Sequence, residues 1–446
     1  MESVLYIKYY RARWIQLGDR ILEDGGVVVV SGALGHPRIL AVFDPHASAV
    51  PTTDEMIRAI EGLGLVESHK PRTYERLPDQ CLGEQALLPG MVNCHTHLEF
   101  SDCLIPLGHV GVDFSSWLRT VIEHRIQTSR STVSVSATKS TACANGWREI
   151  RESGTVAAGE ILSQPIPEPA LTDSVSQSAD TGFCGVVFHE VLGLAVQRAH
   201  ASWEWALRCL AQGNPAHVRL GLSPHAPYST STGLYRQCAE HCLRAGLPLA
   251  THLAESREEL QLLRERSGPL VELFRQMGVW QPEQIESRSV RDVLETVVQV
   301  PRLLLIHGNY LERADWQWLR AKNPDATVVY CPQTHDFFQH ERHPWVEMAN
   351  DGIRVALGTD SRASSPSLSL WSDLMLVRQK FPEQNPALLW RMATLHGATA
   401  LGLEQELGSI SPRKLARFCV ADLGATEQQF SWEALLSPST KIHGLL

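Results

Sequence analysis

From Leu87 onward, short apolar runs alternate with longer stretches in which apolar residues recur every three or four positions. The runs fall at 91–97, 155–161, 184–191, 218–224, 248–253, 302–307, 326–331 and 354–359. Each is followed by a helical pattern, as in Glu258-Glu259-Leu260-Gln261-Leu262-Leu263-Arg264, where the apolar side chains fall on one face. This is the rhythm of parallel strands joined by crossover helices. Eight such units in about 300 residues favour a (β/α)8 TIM barrel over an open sheet. Residues 1–86 read instead as short strands broken by Gly and Pro, with Gly26-Val27-Val28-Val29-Val30-Ser31-Gly32 the clearest. After Gly402 short strand-like pieces return, including Phe418-Cys419-Val420-Ala421-Asp422-Leu423. The expected fold is therefore α/β: a barrel over 87–403, with a small β-sandwich-like domain built from 1–86 and 404–446. Ser163 to Thr181, rich in Pro, Ser and Gln, reads as a long loop.

Polar residues interrupt this pattern at particular places. In an eight-stranded parallel barrel the βα loops converge at the C-terminal strand ends, and chemistry belongs there. The first barrel run is Leu88-Pro89-Gly90-Met91-Val92-Asn93-Cys94-His95-Thr96-His97-Leu98-Glu99, and strand alternation points His95 and His97 to the same side. Alone, such a pair is as well explained by hydrogen-bonded or solvent-facing histidines. Glu190 ends the third run, His225 follows the fourth, and His252, His307 and Asp360 lie at the ends of the fifth, sixth and eighth. Three imidazoles and a carboxylate, His95, His97, His252 and Asp360, form a donor set that suits one divalent metal ion. Zn²⁺ is favoured, with Fe²⁺ or Mn²⁺ as alternatives, and the water completing the shell would have its pKa lowered to about 7. Asp360 in Gly358-Thr359-Asp360-Ser361 could otherwise cap a helix. Glu255, three residues after His252, can shuttle a proton, or else is a solvated residue opening the following helix. His307 can stabilise a developing oxygen, or else is a buried hydrogen-bonded imidazole.

Composition narrows the class. The chain has 446 residues, 43% of them hydrophobic, enough for a substantial core. Its net charge is −9 with a pI of about 6.1, which suggests neither a nucleic-acid footprint nor a membrane-surface patch. A small-molecule partner is expected. Ten cysteines, no leader-like N-terminal segment and no apolar run of about 18 to 20 residues suggest reduced thiols in a cytoplasmic protein. Cys238 and Cys242 are expected to pack, and Cys94 and Cys331 to line the central cavity without being ligands. There is no lysine between Lys139 and Lys322, which removes the carboxylated-lysine bridge of binuclear centres. Glu190 could bridge two metals instead, or contact substrate. The cytidine-deaminase design, H-x-E together with P-C-x-x-C, is absent.

On these residues the chain from about Leu87 to Leu403 resembles the amidohydrolase superfamily, and within it the aromatic-amine deaminase and chlorohydrolase group. The resemblance implies metal ligation by His95, His97, His252 and Asp360, with Asp360 also taking a proton from water. It implies Glu255 as the proton shuttle to a ring nitrogen and His307 as the partner of the attacking oxygen. Ser223-Pro224-His225-Ala226-Pro227-Tyr228 resembles a substrate-side histidine motif. A narrower likeness, carried by His95-Thr96-His97-Leu98-Glu99-Phe100-Ser101, Trp117-Leu118-Arg119-Thr120-Val121-Ile122 and Glu190-Val191-Leu192-Gly193, is to the aminodeoxyfutalosine deaminases of the alternative menaquinone pathway. The activity so implied is hydrolytic deamination of an adenine-like ring of a nucleoside derivative, such as aminodeoxyfutalosine or S-adenosylhomocysteine. Glu99, Trp117, His225 and Glu190 would then face substrate, and a homodimer is the expected assembly. Cys331-Pro332-Gln333-Thr334-His335 and Ser364-Ser365-Pro366-Ser367 depart from the group's pattern and are expected to flank the pocket. Two rivals remain: a chlorohydrolase or other C–N hydrolase with a similar centre, and a catalytically dead barrel used for binding or assembly, which would carry a damaged ligand set.

Overall fold

A computed structural model describes residues 3–32, 36–44, 46, 52–62, 72–129, 135–163, 183–213, 218–424 and 429–445. Its centre is an eight-stranded sheet in which neighbouring strands are parallel and follow chain order: β1 (Met91–Thr96), β2 (Thr155–Leu162), β3 (Gly185–Val191), β4 (Val218–Pro224), β5 (Leu249–Leu253), β6 (Leu303–His307), β7 (Thr327–Tyr330) and β8 (Arg354–Leu357). Between the strands run the expected helices, of which α1 (Phe114–Ser129) and α2 (Arg257–Glu265) shape the site. All eight apolar runs are strands. The loop read at Ser163–Thr181 lies, beyond Ser163, outside the described residues.

The barrel closes where β1 meets the turn after β8. The N–H groups of Thr359 and Asp360 both donate to the His95 carbonyl, at 3.2 and 3.0 Å, and Thr96 bridges Asp360 in parallel register. Asn93 stitches the same seam: its amide donates to Thr359 Oγ1 at 2.8 Å, while its oxygen accepts the N–H of Thr359 and of His95, each at 3.2 Å. This turn explains why β8 stops at Leu357, two residues short of the expected end. A Cβ at Gly358 would lie 2.9 Å from that of His95, so the close approach needs glycine there. The barrel interior is filled by Val92, Phe188, Ile306, Val329 and their neighbours. Cys94 and Cys331 belong to this packing and do not line the cavity described below. Cys238 and Cys242 pack in the helix layer as expected, and all ten cysteines are free.

The chain ends form two five-stranded sheets. One pairs Ser3–Arg11 with Gly26–Gly32 and Arg72–Arg76. In the other, Phe418–Asp422 lies between Ala86–Pro89 and Lys441–Leu445, so the two ends of the chain share a sheet. The N-terminal part also holds a helix, Thr53–Gly62, where only strands were expected. Its N-terminus is capped by Thr52, whose Oγ1 accepts the Glu55 N–H at 3.3 Å while Glu55 accepts the Thr52 N–H at 2.7 Å. One turn apart, Met56 and Ile60 bury its inner face. No described helix is long and apolar enough to cross a membrane.

Candidate metal centre and substrate cavity

Three strand ends bring the predicted ligands together. His97 Nε2 and His252 Nε2 lie 3.3 Å apart, and Asp360 Oδ1 is 3.4 Å from His95 Nε2 and 3.8 Å from His97 Nε2. The ring centres of His95, His97 and His252 are 4.8 to 5.4 Å apart. His307 closes the group, its ring 5.7 Å from that of His95 and 5.5 Å from that of His252. Its Nε2 stands 3.3 Å from Glu255 Oε1. All six residues are buried.

The protonation states suit a cation. The His225 carbonyl, which can only accept, receives both the backbone N–H of His252 at 2.9 Å and its ring Nδ1–H at 3.0 Å. Nε2 of His252 therefore presents a bare lone pair to His97. Both ring nitrogens of His95, and Nδ1 of His97, are buried with no hydrogen-bond partner among the described residues. Burial first, then the neighbouring histidines, pushes His97 and His252 well below the ordinary imidazole range, so they stay neutral. Burial works to raise the Asp360 carboxyl, but the imidazoles around it, His95 foremost at 3.4 Å and then His307 and His97, hold it below the usual range. Clustered neutral imidazole lone pairs beside one carboxylate are the donor set of a divalent metal site. His95 with His252 and His307, and His95 with His97 and Asp360, each hold their ligand atoms within 4.8 Å of one another.

Several side chains fix this geometry from behind. Glu160, fully buried on β2, accepts the Leu98 N–H at 3.0 Å and the Thr96 hydroxyl at 2.5 Å, gripping the backbone on both sides of His97. Glu259 does the same for Glu255. From α2 it accepts the N–H of Ala254 at 2.8 Å and of Glu255 at 2.9 Å, while Ser256 caps the helix. Ala254, His307 and Asp360 all have positive φ, at 53°, 68° and 59°. Such strain costs about 1–3 kcal/mol per residue and persists where surrounding bonds enforce it. Glu160 and Glu259 were not singled out from sequence. A lone carboxylate inside the apolar run Thr155-Val156-Ala157-Ala158-Gly159-Glu160-Ile161-Leu162 was the available signal for the first; Glu259 is indistinguishable in sequence from its solvent-facing helical neighbours.

Burial first, then Asp360 and Glu259, pushes the Glu255 carboxyl well above its usual range, which favours its protonated form. It faces a cavity of about 490 Å³, within the range of small-molecule sites. His97, His252, His307 and Asp360 form its floor; Trp117, Val121, Leu194, Phe274 and Met277 form an apolar wall, with Arg125 and Arg198 among them. Trp117 spends its indole N–H on the Ala363 carbonyl at 3.0 Å, leaving the ring as a surface. His225 and Glu190 line the cavity, His225 Nε2 being 3.9 Å from Glu190 Oε1 and Nδ1 2.6 Å from Ser229 Oγ. Glu190 joins none of the ligand groups among the described residues.

One expectation needs correction. Glu99 does not line the cavity; its carboxylate turns away to Arg125 at 2.7 Å and to the Ser163 hydroxyl, so Arg125 is what meets the cavity. Cys331–His335 and Ser364–Ser367 adjoin the pocket as expected, without lining it. They pair behind Asp360: Ser364 Oγ donates to Asp360 Oδ2 at 3.0 Å and contacts Thr334 Oγ1 at 3.0 Å, while Gln333 donates to Asp373 at 2.7 and 2.8 Å. These motif residues thus support Asp360 from behind.

A parallel barrel with this donor set at its C-terminal rim is the architecture of metal-dependent hydrolases, and the Amidohydrolase family profile matches residues 86–444. The chain belongs to that family. It is 27% identical over 396 residues to an aminodeoxyfutalosine deaminase of Deinococcus radiodurans, covering 85% of this chain and 82% of that protein. Among solved structures, an aminofutalosine deaminase of Helicobacter pylori in complex with methylthio-coformycin superposes with a TM-score of 0.71 at 21% identity, covering 96% and 95% of the two chains. An atrazine chlorohydrolase of Arthrobacter aurescens TC1 complexed with zinc gives 0.72 at 17% identity, covering 97% and 91%. At these identities the two structures speak to the fold.

Proposed function

We propose that the chain is a metal-dependent hydrolytic deaminase acting on an adenine-like ring of a nucleoside derivative and releasing ammonia. The observation that carries this reading is a buried Glu255, its carboxyl pushed above the usual range by burial, standing 3.3 Å from His307 beside the imidazole–carboxylate cluster, at the floor of a cavity with an aromatic wall. His95, His97, His252 and Asp360 would hold one divalent ion, Zn²⁺ by the preference of nitrogen-rich sites with a carboxylate. Such an ion makes hydroxide available from water near neutral pH. Asp360 accepts the proton the attacking water gives up. Glu255 delivers its proton to the ring nitrogen next to the amine-bearing carbon, and His307 hydrogen-bonds the oxygen that forms there. Asp360 then passes the proton it took from water to the amine, the new hydroxyl returns a proton to Glu255, and collapse forms the ring carbonyl and expels ammonia, so water and amine are exchanged for carbonyl and ammonia. On the substrate side, Trp117 offers a stacking face, with His225, Glu190 and Arg125 as polar contacts.

The deaminase relative supports the choice of adenosine derivatives over a triazine chloride, and the free buried thiols fit a cytoplasmic setting. A homodimer is the assembly we expect; light scattering of the purified chain tests it. The activity is tested by incubating the chain, loaded with zinc, with aminodeoxyfutalosine, S-adenosylhomocysteine and adenosine while following ammonia. Ammonia release from at least one is expected; chloride release from a chlorotriazine without any deamination would favour the chlorohydrolase reading. Glu255→Gln should lose about 10²–10⁴-fold in turnover with its metal content intact. Substantial deamination by that variant would remove Glu255 as the shuttle.

A further inference from the structure

A second group of metal-ligand side chains lies beyond the catalytic floor, in the loop after β1 and on α1. The Cys103 thiol stands 3.8 Å from Nε2 of His124. A carboxylate oxygen of Asp102 and those two atoms all lie within 4.8 Å of one another. Zinc binds thiolate at about 2.3 Å and imidazole at about 2.0–2.1 Å, which places the two donor atoms roughly 3.6 Å apart around a tetrahedral ion. Cys103 and His124 already stand near that separation. Cys103 is buried against Phe100, Val121 and Ala363, whereas Asp102 is exposed. An ion could therefore enter from the solvent side and keep water as its fourth ligand. None of the three residues has a part in the deamination above.

We propose that Asp102, Cys103 and His124 form a second cation site, separate from the catalytic floor, that takes a thiolate-preferring divalent ion such as Zn²⁺. On binding, the Cys103 thiol releases its proton to solvent and its sulfur donates to the ion; nothing is oxidised or reduced. Thiolate, carboxylate and divalent cation sum to zero charge, which lets the cluster sit against an apolar pocket. The site would fasten the loop after β1 to α1, the helix that carries Trp117 and Arg125 into the cavity wall. That loop is already tied to the segment after β8 by Arg362, which donates to the carbonyls of Cys103 at 3.2 Å and Leu104 at 3.3 Å. The ion would thus brace one side of the wall without touching substrate.

Cobalt(II) reports the site without reference to activity, because the catalytic floor offers only nitrogen and oxygen ligands and gives no sulfur charge-transfer band. The full chain is stripped by chelation, given excess cobalt, and desalted. The expected result is a second cobalt retained per chain, together with a near-ultraviolet thiolate-to-cobalt band. Cys103→Ser and His124→Ala should each lose the band and the second cobalt while keeping the first. Asp102→Asn, which changes an exposed side chain and leaves the packing alone, should weaken retention of the second cobalt in a chain with an unchanged circular dichroism spectrum. No sulfur band under excess cobalt, or a band that survives in Cys103→Ser, overturns the proposal.

Discussion

The floor and the wall of the cavity are built on opposite terms. The floor residues sit at or just past strand ends and are held through hydrogen bonds that involve the backbone: His252 by the His225 carbonyl, Asp360 by the His95 carbonyl, and the chain around His97 and Glu255 by Glu160 and Glu259. The wall comes from helix faces and loops, and its outer members remain open to solvent, Ile126 at 43% and Met277 at 41%. The floor tolerates strained backbone because many bonds enforce it; the wall carries few such bonds and little strain. Chemistry is therefore fixed in the part of the molecule that cannot adjust, and substrate choice is left to the part that can. If so, floor variants should act on kcat and metal content, and wall variants on KM.

The largest effect is expected from His252→Ala. It removes one of three imidazoles and leaves the His225 carbonyl without its ring donor, so metal content should fall with activity to background. Metal analysis beside the ammonia assay reads both; a variant that keeps stoichiometric metal and measurable turnover would break the floor as drawn. A step smaller is Glu259→Gln. The amide presents an –NH2 to one of two backbone N–H groups that now share a carboxylate, so the peptide between Ala254 and Glu255 loses one bond and the shuttle shifts. Losing a buried partner that orients a reacting group costs about 10–100-fold. That loss should appear in kcat with KM and metal content unchanged, whereas a merely destabilised fold would lower the melting temperature without this split.

The same contrast decides what could be read from the chain. The floor was legible because barrel strands have a period and an end: once eight apolar runs are found, a His or Asp at the last position of each is placed by geometry alone. The sheets at the chain ends were legible as strands for the same reason, but the helix Thr53–Gly62 was missed, its cap and two buried positions being a weak signal in a short segment. Of the wall only Trp117 was named, through the resemblance, and the rest was not legible. Arg125 and Phe274 reach the cavity only because α1 and the helix Pro269–Gln276 lean over the barrel mouth, and no local pattern records that tilt. Glu99 was misplaced for the related reason that residues just past a strand end can turn either way. Its burial beside Arg125 is a tertiary outcome.

The smallest of these effects sharpens the comparison from the wall side. Trp117 packs between Phe114 and Phe338, with ring centres 5.7 and 5.2 Å away, and its N–H is tied to the Ala363 carbonyl. It is thus a braced plane rather than a hydrogen-bonding group for substrate. Stacking a base on such a ring contributes about 1–3 kcal/mol, so Trp117→Ala should raise KM by about tenfold. Trp117→Phe, which keeps a ring and gives up the tie to Ala363, should raise it only a few-fold. Neither should change kcat, because the plane holds ground state and transition state alike and no proton passes through it. A fall in kcat of the same size as the rise in KM would mean that the wall sets the ring's position over Glu255, and the division between a rigid floor and an adjustable wall would have to be redrawn at α1.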